Sequence, residues 1–209
     1  MADLDETDVP SPIDLRSARD AREWARTAML KRPWRAEFFA RIVEELRRLS
    51  RPSLTVLELG SGPGFLAHQI LDALPDTRYT AMDFSPTMHD LARERLGLCA
   101  ERVTFVERDL READWATRMS AVDAVVTMQA VHELRHKRRA AGLYKGARTL
   151  LKPDGVLLTC DHMVGPDGMT NADLFMTLTE HEAAIRAGGF ATVDLLVEKG
   201  GLALFRAFA

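Results

Sequence analysis

The sequence predicts an α/β fold: a doubly wound, seven-stranded sheet, mostly parallel with an antiparallel last strand, with helices on both faces. Three observations predict it. From Leu54 onward, short apolar runs alternate with stretches whose apolar residues recur every three or four positions, the pattern of strands joined by right-handed helical crossovers. The first run feeds directly into Gly60, Gly62 and Gly64, a strand-to-helix turn. The last two runs, "TVDLLVEK" and "LALFRAF", are joined by Gly200 and Gly201, a hairpin signal that reverses the final strand.

The elements follow in order. Residues 1–15 mix acids with Pro10 and Pro12 and show no apolar period, so they read as a mobile tail. Residues 16–51 carry "WARTAML" and "FFARIVEELRRL", whose spacing predicts two helices parted at Pro33. The remaining core, 52–209, opens with "LTVLELG" as a strand and "FLAHQILDAL" as a helix. "RYTAMDF" precedes "SPTMHDLARERL", where Ser85 can cap a helix that has Pro86 at its first position, a place where a missing N–H costs nothing. "RVTFVERDL" is followed by a helical stretch near "READWATRM", and "AVDAVVTMQAV" by "RRAAGLYKGARTLL". "KPDG" reads as a turn feeding "GVLLTCDHM". The last helix takes Thr179 and Glu182 as its capping box and Gly188 and Gly189 as its end.

With 209 residues, 46% of them hydrophobic, the chain can bury one core. A net charge of -3 gives no reason to expect a nucleic acid or an anionic membrane as partner, and the basic excess between Arg16 and Arg51 reads as a solvated helix face. No run is long enough to cross a bilayer. The two cysteines, Cys99 and Cys160, lie far apart, which fits reduced thiols and a cytoplasmic protein.

Glycines at the carboxyl edge of a parallel sheet let the backbone approach a ligand. Asp83 ends the second strand about twenty residues on, where a carboxylate can accept both hydroxyls of a ribose. An adenosine-containing ligand fits both features. Glu58 sits two residues before Gly60, where it would repel a pyrophosphate and suit a cationic ligand. The spacing is G-x-G-x-G, not the dinucleotide G-x-G-x-x-G, which weakens a nicotinamide oxidoreductase as the alternative.

"VLELGSGPG", "AMDFSPTM", "FVERDL", "VDAVVTMQAVHEL" and "LLKPDGVLL" together resemble the class I S-adenosylmethionine-dependent methyltransferases, in the group of small bacterial methyltransferase-domain enzymes with a Rossmann-like core. The resemblance covers roughly residues 52–209 and implies S-adenosylmethionine as cofactor. It implies that Glu58, Gly60, Ser61, Gly62 and Gly64 line the methionine part, that Asp83 holds the ribose and that Phe84 and Met88 flank the adenine. Asp109 and Leu110 would sit at the adenine edge, with Met128 and Gln129 facing the ligand from strand four. The expected reaction is methyl transfer to a small-molecule acceptor. An inactive module that binds S-adenosylmethionine or S-adenosylhomocysteine is the alternative, and a homodimer is compatible with the sequence.

"HELRH", from His132 to His136, matches the H-E-x-x-H pattern of zinc hydrolases. It follows at once on a strand, and the extended form would need glycine at Arg139 and histidine at Gly142. No metal is expected on that basis. The residues read instead as the start of a helix continuing through "RHKRR". His132 stands apart, because strand five should lie beside strand four and ends in Asp161 and His162. These three are the candidate catalytic residues, with an imidazole of suitable pKa to position or deprotonate an acceptor. With Glu133 they also offer the donor types of a divalent-ion site, which direct displacement does not require. The N-terminal helices and "VGPDGMTNADLFMT" are the candidate lids, with Trp24, Trp34, Phe175 and Met176 as apolar lining.

Overall fold

The computed structural model describes residues 8–209. Two helices come first, α1 (Ala18–Lys31) and α2 (Arg35–Arg48). They are parted by Pro33, and the Ser17 hydroxyl caps α1 by accepting from the Asp20 N–H. Then follow β1 (Thr55–Leu59), α3 (Phe65–Ala73), β2 (Arg78–Asp83), α4 (Pro86–Leu96), β3 (Val103–Glu107) and β4 (Val122–Met128). The chain closes with α5 (Ala140–Leu150), β5 (Leu151–His162), α6 (Leu178–Ala187), β6 (Thr192–Lys199) and β7 (Leu202–Phe208).

The seven strands are ordered β3-β2-β1-β4-β5-β7-β6. All pairs are parallel except those of β7, which runs antiparallel to β5 and to β6. Side chains alternate across the sheet, so Val125 and Leu157 enter the core under α5 and α6, while Val126 and Leu158 enter the core under α2 and α3. Burial on both faces explains the near-continuous apolar character of β4. The order reverses direction at β1 and β4, which opens a crevice at their carboxyl ends.

Most expected elements form, and the departures have physical reasons. No helix forms near "READWATRM". Arg108 Nη1 instead takes the carbonyls of Trp115 and Thr117, at 2.6 and 2.7 Å, and holds residues 108–121 in turns. The capping box lies two residues earlier than expected, at Thr177 and Glu180, because "TLTEHE" contains the T-x-x-E pattern twice and Glu182 pairs with Arg186 instead. "KPDG" sits inside β5 as an irregularity: the register with β4 shifts there, and Asp154 has φ 60°. "HELRH" does not begin an α-helix. One short turn covers Val131–Leu134, and Arg135 then takes a left-handed conformation, φ 65°, that ends it.

The expected tail, residues 1–15, falls partly outside the described residues. From Asp8 on, the chain is tied to the body. The Val9 N–H donates to the Arg135 carbonyl at 2.9 Å, and the Arg135 guanidinium returns bonds to the carbonyls of Val9 and Pro10. Further along, the Leu15 carbonyl accepts from Ser85 Oγ and the Arg16 carbonyl from Thr87 Oγ1.

Candidate functional site

A cleft of about 1080 Å³, counting space open to solvent, lies at the carboxyl edge of the sheet. Its floor is the β1–α3 turn, where Gly60, Gly62 and Gly64 all have positive φ (67°, 52° and 77°). Glycine is required twice over at Gly60, because a Cβ there would lie 2.3 Å from Ala130 Cβ. At Gly62 a Cβ would meet nothing within 4 Å.

Two buried carboxylates flank this turn. Asp83, 5% exposed, accepts from the Gly62 N–H at 2.8 Å and the Ser85 N–H at 2.9 Å. Burial raises its pKa to about 6, against the pull of those N–H groups. Glu58, 2% exposed, accepts from the Tyr79 hydroxyl at 2.8 Å. Burial, and after it the charge of Asp83, pushes Glu58 up to about 8 although the Tyr79 bond opposes this. The buried Ser61 hydroxyl has no hydrogen-bond partner among the described residues.

The expected ligand-facing residues Glu58, Gly60, Ser61, Gly62 and Asp83 all line the cleft. So do Phe84, Met88, Asp109, Leu110, Met128 and Gln129. Gly64 instead packs against Ala92 at the start of α3. The Phe84 ring lies under the Arg16 guanidinium at 4.4 Å. Burial works to raise Asp109, but the Arg111 guanidinium, gripping both carboxylate oxygens, and Arg16 beyond it hold the group below its ordinary range.

At the ends of β4 and β5 the structure brings His132, Asp161 and His162 together. Asp161 Oδ2 accepts from the His132 N–H at 2.8 Å, and Oδ1 meets His132 Nδ1 at 2.6 Å. The same Oδ1 accepts from the His162 N–H at 2.6 Å. His132 Nε2 lies 3.3 Å from Glu133 Oε1. Burial opposes charge on this imidazole, but the two carboxylates prevail and hold its pKa well above the ordinary value. Asp161 is held below the usual carboxylate range by the adjacent imidazolium, which outweighs its burial. His162 goes the other way: burial, reinforced by the His132 charge, lowers it to about 3 against the pull of Asp161. One imidazole is therefore charged and its neighbour neutral. The rings are 5.2 Å apart, and Phe175 packs against both.

Gln129 joins this cluster to the N-terminal helices. It has φ 59°, a strained conformation for a residue with a side chain, and its N–H donates to the Cys160 carbonyl at 2.7 Å. Its Oε1 accepts from Arg35 Nε, and its Nε2 lies 2.6 Å from His162 Nε2.

Of the expected apolar lining, Trp24 reaches the cleft, while Trp34 packs on Gly200 and Met176 enters the core. Sequence reasoning missed Leu15, Arg32, Arg35 and Arg108, which also line the cleft. Arg35 had a visible signal, since it falls three and four residues before Phe38 and Phe39, on the apolar stripe of α2. Glu133 lines the cleft and His136 does not; the His136 Nδ1 accepts from the Arg138 N–H at 3.1 Å. Among the described residues, no three His, Cys, Asp or Glu side chains converge as a metal site would require, and no helix is long and apolar enough to cross a membrane.

The family profile described as "Methyltransferase domain" matches residues 56–155. A malonyl-[acyl-carrier protein] O-methyltransferase from Acetivibrio thermocellus is 34% identical over 116 residues, which is 54% of this chain and 38% of that protein. Among solved structures, an O-methyltransferase family protein from Burkholderia thailandensis aligns with a TM-score of 0.72 at 24% identity, over 90% of this chain and 59% of that one. The citrinin polyketide synthase CMeT domain aligns with a TM-score of 0.72 at 18% identity, over 89% and 56%. The chain thus spans less than two thirds of the length of each of these relatives, and the two solved structures share its fold.

Proposed function

We propose that the chain is a class I S-adenosylmethionine-dependent methyltransferase, one that moves a methyl group from S-adenosylmethionine to a small-molecule acceptor. The observation that carries this reading is the pair of buried carboxylates, Glu58 and Asp83, on either side of the glycine turn. A ligand with an ammonium at one end and a ribose in the middle would satisfy both. Their raised pKa values mark charge not yet compensated, the orphaned Ser61 hydroxyl offers a further polar contact, and the open space over Gly62 leaves room for the ligand backbone. The residues therefore fit the cofactor. When bound it supplies an electrophilic methyl on a sulfonium, ready for in-line displacement.

The protein's own part is then placement and exclusion of water. Holding acceptor and methyl in line can supply about 7–11 kcal/mol of the barrier, and a dry cleft favours a reaction that disperses charge. We assign α1 and the start of α2 as the cap that closes this cleft over residues 52–209, because Trp24, Arg32 and Arg35 line it. Phe84 and Met88 would flank the adenine, with Asp109 and Leu110 at its edge.

His132 is the catalytic base for an acceptor hydroxyl. Asp161 fixes its ring through Nδ1, so the proton it accepts or releases sits at Nε2, toward Glu133. His162, neutral and held by Gln129, shapes the adjacent wall. The free thiols of Cys99 and Cys160 suit a reducing compartment, consistent with a cytoplasmic enzyme.

Calorimetric titration with S-adenosylmethionine and S-adenosylhomocysteine tests the reading, with Asp83→Ala as control. Saturable binding weakened about 10-fold or more by the substitution is expected, since a hydrogen bond to a charged group is worth about 1.5–3 kcal/mol. Binding of a dinucleotide in preference to both would overturn it.

A further inference from the structure

Arg35 is 4% exposed, and among the described residues no carboxylate pairs with it. Its Nε donates to Gln129 Oε1 and its Nη1 to the Ala28 carbonyl at 2.5 Å, both neutral. Trp24 lies 5.7 Å from the guanidinium carbon. Arg32, half-buried on the same wall of the cleft, has no side-chain partner among the described residues. Burial lowers both guanidiniums, Arg35 to about 10 with the charge of Arg32 adding to the effect.

This contrasts with the other buried arginine. Arg135 has Glu133 at 3.2 Å and two carbonyls. At the ends of β4 and β5 the carboxylates of Asp161 and Glu133 are already engaged by His132, and His162, which feels the charge of both arginines, is neutral. Two positive charges are thus left at one end of a cleft. An unpaired buried charge is strongly destabilising, so the arrangement makes sense when a ligand brings the missing anion.

We propose that Arg32 and Arg35 form a carboxylate-binding subsite at the end of the cleft beside Gln129 and His162. Planar guanidinium forks match a carboxylate in two-point contact. The proposal rests on the methyltransferase reading, and the carboxylate it names is the acceptor's, because the subsite lies against Gln129 and His162, beside the candidate base His132.

The experiment compares wild type with Arg35→Gln and Arg32→Gln. Each is titrated with S-adenosylhomocysteine and with its decarboxylated analogue. Each is then saturated with S-adenosylhomocysteine and titrated with acetate, benzoate and 4-hydroxybenzoate, every acid against its amide. If wild type prefers S-adenosylhomocysteine over the analogue by roughly 10- to 150-fold and the variants lose that preference, the arginines serve the cofactor's own carboxylate and the proposal is overturned. If the acceptor supplies the carboxylate, the two nucleosides bind alike in all three proteins, and wild type prefers acids over amides by a margin the variants lose. A merely structural Arg35 would lower the melting temperature and leave both preferences intact, which would overturn the proposal; Arg32→Gln, at a half-buried position, keeps the test open if Arg35→Gln does not fold. Failure of wild type to bind S-adenosylhomocysteine at all would overturn the methyltransferase reading itself, and the subsite with it.

Discussion

His132 and Asp161 are bound to each other twice, once through the His132 backbone N–H at 2.8 Å and once through its Nδ1 at 2.6 Å. The pair fixes both the position and the protonation of the imidazole. At neutral pH the ring holds its proton, so a base at this position must first lose it. The rate kcat/KM should therefore rise with pH, with an inflexion above the ordinary imidazole value of about 6.5. Asp161→Asn should move that inflexion down, and breaking the buried pair should destabilise the fold by about 3–5 kcal/mol. Because the folded pKa of His132 is raised, its stabilisation is fully present below the ordinary imidazole pKa and is lost as pH climbs through the raised one. His132→Ala should cost about 10²–10⁴ in turnover; an unaltered turnover on the true acceptor would remove His132 from the reaction.

The pH dependence of cofactor affinity follows from Asp83 and Glu58, raised to about 6 and about 8. Both must be ionised to accept from a ribose and to face an ammonium. Protein without ligand therefore carries more protons than the complex, and affinity for S-adenosylhomocysteine should strengthen as pH rises from about 5.5 to 8.5. Calorimetry in buffers of different ionisation enthalpy should show protons released on binding. Uptake of protons would contradict the assignment.

Two glycines in one turn should fail in different ways. Gly60→Ala puts a methyl 2.3 Å from Ala130 Cβ at φ 67°, so it should lower the melting temperature and cofactor affinity together. Gly62→Ala meets no neighbour and carries only the left-handed backbone penalty, about 1–2 kcal/mol. It should fold nearly as well as wild type and bind the cofactor poorly, because its methyl points into the space the ligand needs. Equal melting losses in the two variants would show that the turn moves as a unit.

Exhaustive chelation should leave turnover unchanged despite the H-E-x-x-H pattern. His132 is committed to Asp161 and Glu133, His136 to the Arg138 N–H, and the left-handed Arg135 keeps the two from sharing a helix face. Activity lost on chelation and restored by zinc would reopen the motif.

How much of this could be read from the sequence depended on the kind of signal. Strands and helices have periods, and Ser85 with Pro86 announces a helix start on its own. The glycine turn and Asp83 were legible because backbone freedom and an acidic strand end have few other uses. Thr177 and Thr179 carry the same local pattern, so only tertiary packing chooses between them. Residues 108–121 have the composition of a helix, yet Arg108 reaches across to their carbonyls. The place of Arg35 on the apolar stripe of α2 was visible, but its role was not, since its partner Gln129 lies nearly a hundred positions away.

The segment Asp8–Arg16 is irregular; apart from the Val9 N–H bond to the Arg135 carbonyl, its ties to Arg135, Ser85 and Thr87 run side chain to backbone. It touches the loop that carries His132 at one end and the Asp83–Phe84 corner at the other. Segments held this way open at free energies well below that of global unfolding. In deuterium exchange, the Val9 amide should lose its protection long before the amides of β4 and β5, and should regain it when a nucleoside fills the cleft beneath. That amide is thus a built-in reporter of occupancy, readable with no label added to the protein.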